Sequence, residues 1–325
     1  NTGDLQTIRD LYPRVKKYLG IWQKNSDGTI KFRAGEWTWG DWGDNIDIKV
    51  LFNAWYYIAL KGQRNMAIAL DMKAEAEAID QEMQALKKAF NTVFWNGKAY
   101  RHPEYKLKTD DRVQALAIVS GLADEKKYPA LLNVLKQNEY ASPYMEKYVI
   151  EALFMMGENY YGMERMKRRF AEMVNDPERT TLYEGWGIGP NGFPGGTTNH
   201  AWSGGGLTIL SQYVCGVAPT EVGYKAYRIA PQPTGLKEAE TLVPTVKGNI
   251  KVSFKDDEKN FQLQVSSPQG AQATICLPSP CKAVTLNGKL VWQKGKSLLS
   301  GNSTIESSHQ EKNKTLSITM KNGGD

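Results

Sequence analysis

Cysteine and histidine are both scarce, three of each in 325 residues. Cys215, Cys276 and Cys281 stand at no metal-ligand spacing, and the sequence holds no cluster of His, Cys, Asp and Glu that would take a structural or catalytic ion. The three thiols read as buried core residues, with a Cys276–Cys281 disulfide as the alternative. No apolar run approaches the ~20 residues of a membrane-spanning helix, and no signal peptide opens the chain. The first residue is Asn rather than Met, which reads as a processed or truncated N-terminus. The charge excess is only +6, from 41 basic and 35 acidic residues. It is spread along the chain, without the basic, aromatic-interleaved stripe that nucleic-acid binding requires. No internal repeat is visible.

What is present is a helical text followed by an extended one. Apolar residues return every three or four positions from Leu5 to about Gln212. Leu5, Ile8, Leu11, Tyr12, Val15 and Leu19 make one stripe; Ile48, Leu51, Phe52, Trp55, Tyr56 and Ala59 make another. Further helices are predicted over 69–94, 112–123, 126–137, 144–157, 163–174 and, after His200, 207–214. After Gly216 the pattern changes. Residues 224–233 read as extended, and Ile250, Val252 and Phe254, then Phe261, Leu263 and Val265, alternate with polar residues as strands do. Val284 and Leu286 lead into an Asn287-Gly288 hairpin signal, and Leu316, Ile318 and Met320 make a last strand. The expected division is a helical domain over 1–216 and an antiparallel β-sandwich over 217–325.

Two loops carry the chemistry. The first, residues 35–45, packs three Trp and three carboxylates among glycines. So many charges cannot all enter a dry core, because each unpaired carboxylate there would cost several kcal/mol or more, a loss of the order known for buried ions. In a cleft, Trp39 and Trp42 offer flat apolar faces to a sugar ring while Asp41 and Asp44 accept hydrogen bonds from its hydroxyls. The bland alternative is that Asp41 or Asp44 caps the next helix. The second loop runs from Thr180 through Glu184 and Trp186 to His200 and Ser203. Glu184 lies between aromatic residues with no cation adjacent in sequence, a setting expected to exclude water and raise its pKa. His200 opens the last helix; the alternatives are that it merely caps that helix and that Glu184 pairs with a distant Arg.

The phrase Thr-Thr-Leu-Tyr-Glu-Gly-Trp over 180–186, followed by Thr-Asn-His-Ala-Trp-Ser-Gly-Gly over 198–205, resembles the bacterial α-L-rhamnosidases of glycoside hydrolase family 78. Gly40-Asp41-Trp42 is similar to that family's Gly-Asp-Trp loop. Residues 111–121, with Gln114, resemble a family helix, and Tyr227-Arg228-Ile229-Ala230-Pro231 resembles the strand leading to its C-terminal sandwich. The resemblance implies an (α/α)6 barrel whose cleft takes terminal α-L-rhamnose and hydrolyses it with inversion, without a cofactor or divalent metal. It further implies Glu184 as general base, Trp42 as stacking wall, Asp41 as hydroxyl ligand and His200 as sugar contact or orienter of the base. Trp39, Asp44 and Trp186 complete the expected sugar-binding set.

The family's general acid belongs to a segment reading approximately Asp-Cys-Pro-x-Arg-x-Glu-Arg, upstream of the Gly-Asp-Trp loop, and no such segment precedes Trp37. About eight helices are countable where six hairpins need twelve. Both shortfalls predict that the chain is the C-terminal portion of a longer protein; were it complete, Glu36 or Asp44 would have to serve as acid. The competing readings are a glycosidase of another (α/α)6 family and a non-catalytic carbohydrate-binding module. The expected partner is a rhamnose-containing glycan and the expected location is the periplasm or the cell exterior. Oligomeric state is not legible.

Overall fold

The structure is a computed structural model describing residues 2–35, 38–188, 196–257, 259–278, 282–294, 296–298, 305–310 and 316–320. It divides into a helical unit, Asp4–Gly205, and a second unit comprising Gly206–Asp325 with the first three residues.

In the helical unit, α1 spans Leu5–Leu19, and the Asp4 carboxylate accepts from the backbone N–H groups of Gln6 and Thr7, so the helix starts where its orphan donors find an acceptor. Helix α2 spans Ile48–Ala69 and α3 spans Lys73–Val93. The reading that began a helix at Ala69 is corrected here. Ala69 ends α2, and Asp71 turns into the left-handed region at φ 58°, which reverses the chain. Next come α4, Asp111–Ser120, α5, Tyr128–Gln137, α6, Pro143–Met155, and α7, Asn159–Val174. Gly121, at φ 83°, closes α4 in the left-handed conformation that glycine adopts without strain. At α6, Ser142 accepts from Met145 N–H and Pro143 occupies the first turn, where its missing N–H costs nothing.

Helix α4 packs against α2, α5 and α6. Val113, Ala115, Leu116, Ala117 and Ile118 are wholly buried, but so are Asp111, Arg112 and Gln114. A helix enclosed on every side must neutralise its polar residues internally, and that requirement shapes the site below.

Past a 3₁₀ turn at Ala201–Gly204, the short α8, Gly205–Ile209, runs into a π-helical turn at Leu210–Val214. The second unit then carries β1 (Val217–Pro219), β2 (Ala226–Ile229), β3 (Glu238–Thr245), β4 (Gly248–Asp256), β5 (Phe261–Ser266), β6 (Gln272–Leu277), β7 (Ala283–Leu286), β8 (Lys289–Gln293), β9 (Lys296–Ser297), β10 (Ile305–Gln310) and β11 (Leu316–Met320). They form one sheet ordered β1-β2-β6-β11-β10 and two meanders, β3-β4-β5 and β7-β8-β9. The expected extended run over 224–233 shortens to β2, because Tyr224 lies in a 3₁₀ turn at φ 53°. The expectation of a purely antiparallel array is also corrected. Strands β2 and β6 pair in parallel, since the β3-β4-β5 meander between them supplies the long crossover that parallel pairing needs. The Asn287-Gly288 turn does join β7 to β8, both residues at positive φ, with Leu286 opposite Lys289. Ile250, Val252 and Phe254 point from β4 into the core. Cys215 and Cys276 are free and buried; Cys281, the expected alternative partner, lies outside the described residues.

Candidate active site

Glu184 is held by its own loop. Its backbone N–H donates to Thr197 O (2.9 Å), and His200 N–H donates to Leu182 O (2.9 Å), so residues 182–184 and 197–200 run as a clamped pair. From the other side Trp202 Nε1 donates to Glu184 O (3.0 Å) and Ser203 Oγ to Tyr183 O (2.6 Å). The side chain is about one-fifth exposed. Its Oε2 accepts from Thr197 N (3.0 Å) and Thr197 Oγ1 (3.1 Å), with His200 Nδ1 at 3.7 Å. The Thr197 backbone hydrogen bond chiefly, then the Thr197 hydroxyl, His200 and a hydrogen bond from the Trp42 side chain, hold the carboxyl below its ordinary range. The expected rise is therefore wrong in sign: donors aimed at the charged form outweigh the aromatic neighbourhood.

Around this carboxylate the aromatic side chains form one continuous face. Trp39 meets Trp42 edge-on with centroids 6.0 Å apart, stacks with Trp202 at 5.8 Å and lies 6.0 Å from Tyr144. Tyr144 stacks with Trp202 at 5.5 Å, and the His200 ring is 4.3 Å from Trp202. Trp42 is 42% exposed, which leaves an indole face open to a ligand. The Trp39 indole N–H is buried and has no hydrogen-bond partner among the described residues. The structure thus gathers Glu184, His200, Trp39 and Trp42, and adds Tyr144, Trp202 and Thr197, which the sequence reading did not single out. A Tyr at the start of a helix and a Trp two residues after His200 look like ordinary core in sequence. Only the fold turns them toward Trp39.

Asp41, Asp44 and Trp186 are placed differently. The Asp41 side chain has no exposure. Its Oδ2 accepts from Ser142 N (2.9 Å) and Arg112 Nη1 (3.2 Å), and its Oδ1 from Ser142 Oγ (2.5 Å). Burial raises its pKa against the lowering by these donors. Both oxygens are hydrogen-bonded and the carboxylate is buried under the loop in this structure. Asp44 is exposed, and its carbonyl, rather than its carboxylate, accepts from Arg112 Nη2 (2.6 Å). Neither caps α2; that place belongs to Asp47. Trp186 donates from Nε1 to Ala141 O (2.7 Å), with Arg169 4.3 Å over its ring and Phe170 edge-on at 5.0 Å. It anchors the Glu184 loop to the helices. Glu36, the alternative acid, lies outside the described residues together with Trp37.

Beneath the face lies an ionic network. Arg112, wholly buried, donates through Nε to Asp110 Oδ1 (2.7 Å) while reaching Asp41 and the carbonyls of Trp42 and Asp44. Arg165 binds Glu146 through Nε (2.6 Å) and Nη2 (3.0 Å), and Asp111 Oδ2 through Nη2 (3.3 Å). Burial pushes Asp111 up to about 7, and its Oδ1 has no hydrogen-bond partner. Among the described residues no group of three or more His, Cys, Asp or Glu could hold a metal ion, and no helix is long and apolar enough to cross a membrane.

Comparison with known proteins matches this arrangement to one family. Residues 1–214 match the bacterial alpha-L-rhamnosidase 6 hairpin glycosidase domain, and residues 216–289 match the bacterial alpha-L-rhamnosidase C-terminal domain. Among curated relatives, an alpha-L-rhamnosidase of Formosa agariphila is 20% identical over 317 residues, covering 88% of this chain and 33% of its own. One from Streptomyces avermitilis is 23% identical, covering 85% and 28%. The chain thus spans about a third of the length of the curated relatives it matches. Among solved structures, the alpha-L-rhamnosidase from Dictyoglumus thermophilum superposes with a TM-score of 0.82 at 19% identity, covering 99% of this chain and 37% of that one. The Streptomyces avermitilis enzyme complexed with L-rhamnose gives 0.77 at 17% identity, covering 99% and 31%. With the helical unit matched end to end and the sheet unit matched after it, the chain belongs to the bacterial alpha-L-rhamnosidase family.

Proposed function

We propose that this chain supplies the general base and one wall of the sugar pocket of an inverting α-L-rhamnosidase acting on terminal α-L-rhamnose of glycans or glycosides. In this reading its helices are part of an (α/α)6 barrel and its sheets part of a β-sandwich, in keeping with the family domains matched and the shared fold. The observation that carries it is Glu184: a partly exposed carboxylate, kept ionised by the Thr197 donors, beside the open face of Trp42 and the His200 imidazole.

Inversion needs one carboxylate to take a proton from water while an acid on the opposite face of the sugar protonates the leaving oxygen, the two ~6.5–9.5 Å apart. A base must be unprotonated at working pH, and the lowered pKa of Glu184 meets that condition. The bound sugar stacks on Trp42, and His200 contacts a hydroxyl or steadies the base. Asp41 is reassigned in this reading from hydroxyl ligand to support, because its carboxylate is buried and held by Ser142 and Arg112. The general acid is assigned to no residue described here.

The test uses the full-length protein and an aryl α-L-rhamnoside. Glu184→Gln is expected to lower kcat by about 10²–10⁴, the usual worth of a general base, with the protein still folded. Proton NMR of the first-formed product is expected to show the β anomer. A Glu184→Gln protein within threefold of the parent, or turnover confined to another glycoside, would sink the proposal. Sugar binding abolished by Trp42→Ala with no turnover at any enzyme concentration would replace it with a non-catalytic binding module.

A further inference from the structure

Thr197 Oγ1 stands 3.1 Å from Glu184 Oε2 and 2.9 Å from His200 Nδ1. A hydroxyl has one hydrogen to give, so two acceptors compete for it. When His200 carries a hydrogen on Nδ1, the imidazole donates to Thr197 and the hydroxyl hydrogen is free for the carboxylate. When Nδ1 is bare, it takes that hydrogen. Oε2 then keeps the Thr197 backbone N–H at 3.0 Å, and the carboxylate keeps the Trp42 side chain. His200 is the titratable group among the described residues that faces Glu184; Thr197 and Trp42, its other neighbours, are neutral donors.

We propose that Thr197 is a positioning residue that relays a proton between Glu184 and His200, so that the state of the imidazole controls the basicity of the carboxylate. The inference rests on Glu184 being the base. Once Glu184 holds the proton drawn from water, its Oε2–H bond breaks as that proton bonds to Thr197 Oγ1. The hydrogen originally on Oγ1 passes to the bare Nδ1. One proton has moved from carboxylic acid to imidazole, the O–H electron pair stays on Oε2, and threonine is unchanged. The product is a carboxylate beside an imidazolium 3.7 Å away, a favourable pair. The His200 side chain is about one-third exposed and can return the proton to solvent.

The test compares Thr197→Val, Thr197→Ala and Thr197→Ser in the full-length protein. Losing the hydroxyl while keeping the backbone donor is expected to move the acidic limb of the kcat/KM profile up by about one pH unit in Val and Ala, the worth of one hydrogen bond to a charged group. Serine is expected to leave the limb in place. An activity-independent reading comes from imidazole NMR, tractable because the sequence has three histidines. The His200 Nδ1 resonance is expected to move in Val and Ala, which lack the Oγ1 partner 2.9 Å away, and to stay in Ser. If limb and Nδ1 resonance hold still in Val while Glu184→Gln abolishes turnover, the relay is wrong and the base stands. Equal shifts in Ser and Val also overturn the relay, since they report packing. A fully active Glu184→Gln removes the base and the relay together.

Discussion

The two loops that looked alike in sequence, each mixing carboxylates, tryptophans and glycines, are opposites in the fold. The Gly-Asp-Trp loop sends its acid inward, where Asp41 is desolvated, fully hydrogen-bonded and raised in pKa. The second loop keeps Glu184 at the surface of an aromatic face and lowers its pKa through donors from its own backbone. One carboxylate is enclosed by the architecture and the other is in reach of solvent. The difference lies in what surrounds each charge: Arg112 and the α6 N-terminus below the first, Thr197 and an open Trp42 beside the second. A buried charge is tolerated only while every partner stays, whereas a partly exposed one can lose or gain a proton without unfolding its neighbours.

That contrast breaks most sharply at Arg112. Arg112→Met strands Asp110 and Asp41 without their cation, and urea unfolding is expected to show a loss of about 3–5 kcal/mol. Glu184→Gln, in the same experiment, is expected to cost far less, because its carboxylate is partly exposed and water replaces the donors it loses. Ser142→Ala removes the hydroxyl bonded to Asp41 Oδ1, with an expected loss of about 1.5–3 kcal/mol by the same measurement, typical of a hydrogen bond to a charged group.

The pH dependence separates the two settings by sign. Asp111 is raised to about 7, above its unfolded value near 4, so the folded state binds the extra proton in that window. Its contribution therefore grows as pH falls from about 7 toward about 4, and Asp111→Asn is expected to reduce this rise in thermal or chemical melts. A lowered carboxylate such as Glu184 acts the other way, contributing above its unfolded pKa and losing that contribution as pH falls through the folded one. At Trp42 the stability effect of Ala is expected to be smaller than at Arg112, because the ring is 42% exposed and gives up only part of the burial of a core aromatic. Its signature is affinity instead: calorimetry with L-rhamnose is expected to weaken about tenfold, roughly 1.4 kcal/mol. Equal losses of stability at Trp42 and Arg112 would erase the distinction between face and foundation.

Much of the plan was legible from residue order. The period of apolar residues located the helices, since the buried side of a helix must repeat near every third or fourth position. The Asn287-Gly288 pair marked a hairpin because both residues accept positive φ. The Gly-Asp-Trp and Tyr-Glu-Gly-Trp phrases pointed to two loops whose Trp39, Trp42, Glu184 and His200 the fold brings together. Local text misled where a single turn residue decided the outcome, as at Asp71 between α2 and α3, and where parallel pairing joined β2 to β6 across a long crossover.

What the sequence determined by itself was therefore periodic or local: which stretches coil, which extend, and which two loops concentrate aromatic and acidic groups. Only the tertiary structure decided what those groups do. Arg112 lies 71 residues from Asp41 and Ser142 lies 101 from it, yet together they hold its carboxylate in the interior. Thr197, 13 residues after Glu184, reverses the expected pKa shift. The ionisation of a carboxylate is set within a few ångströms by its donors and its access to water, and neighbours at that distance come from folding rather than from order along the chain.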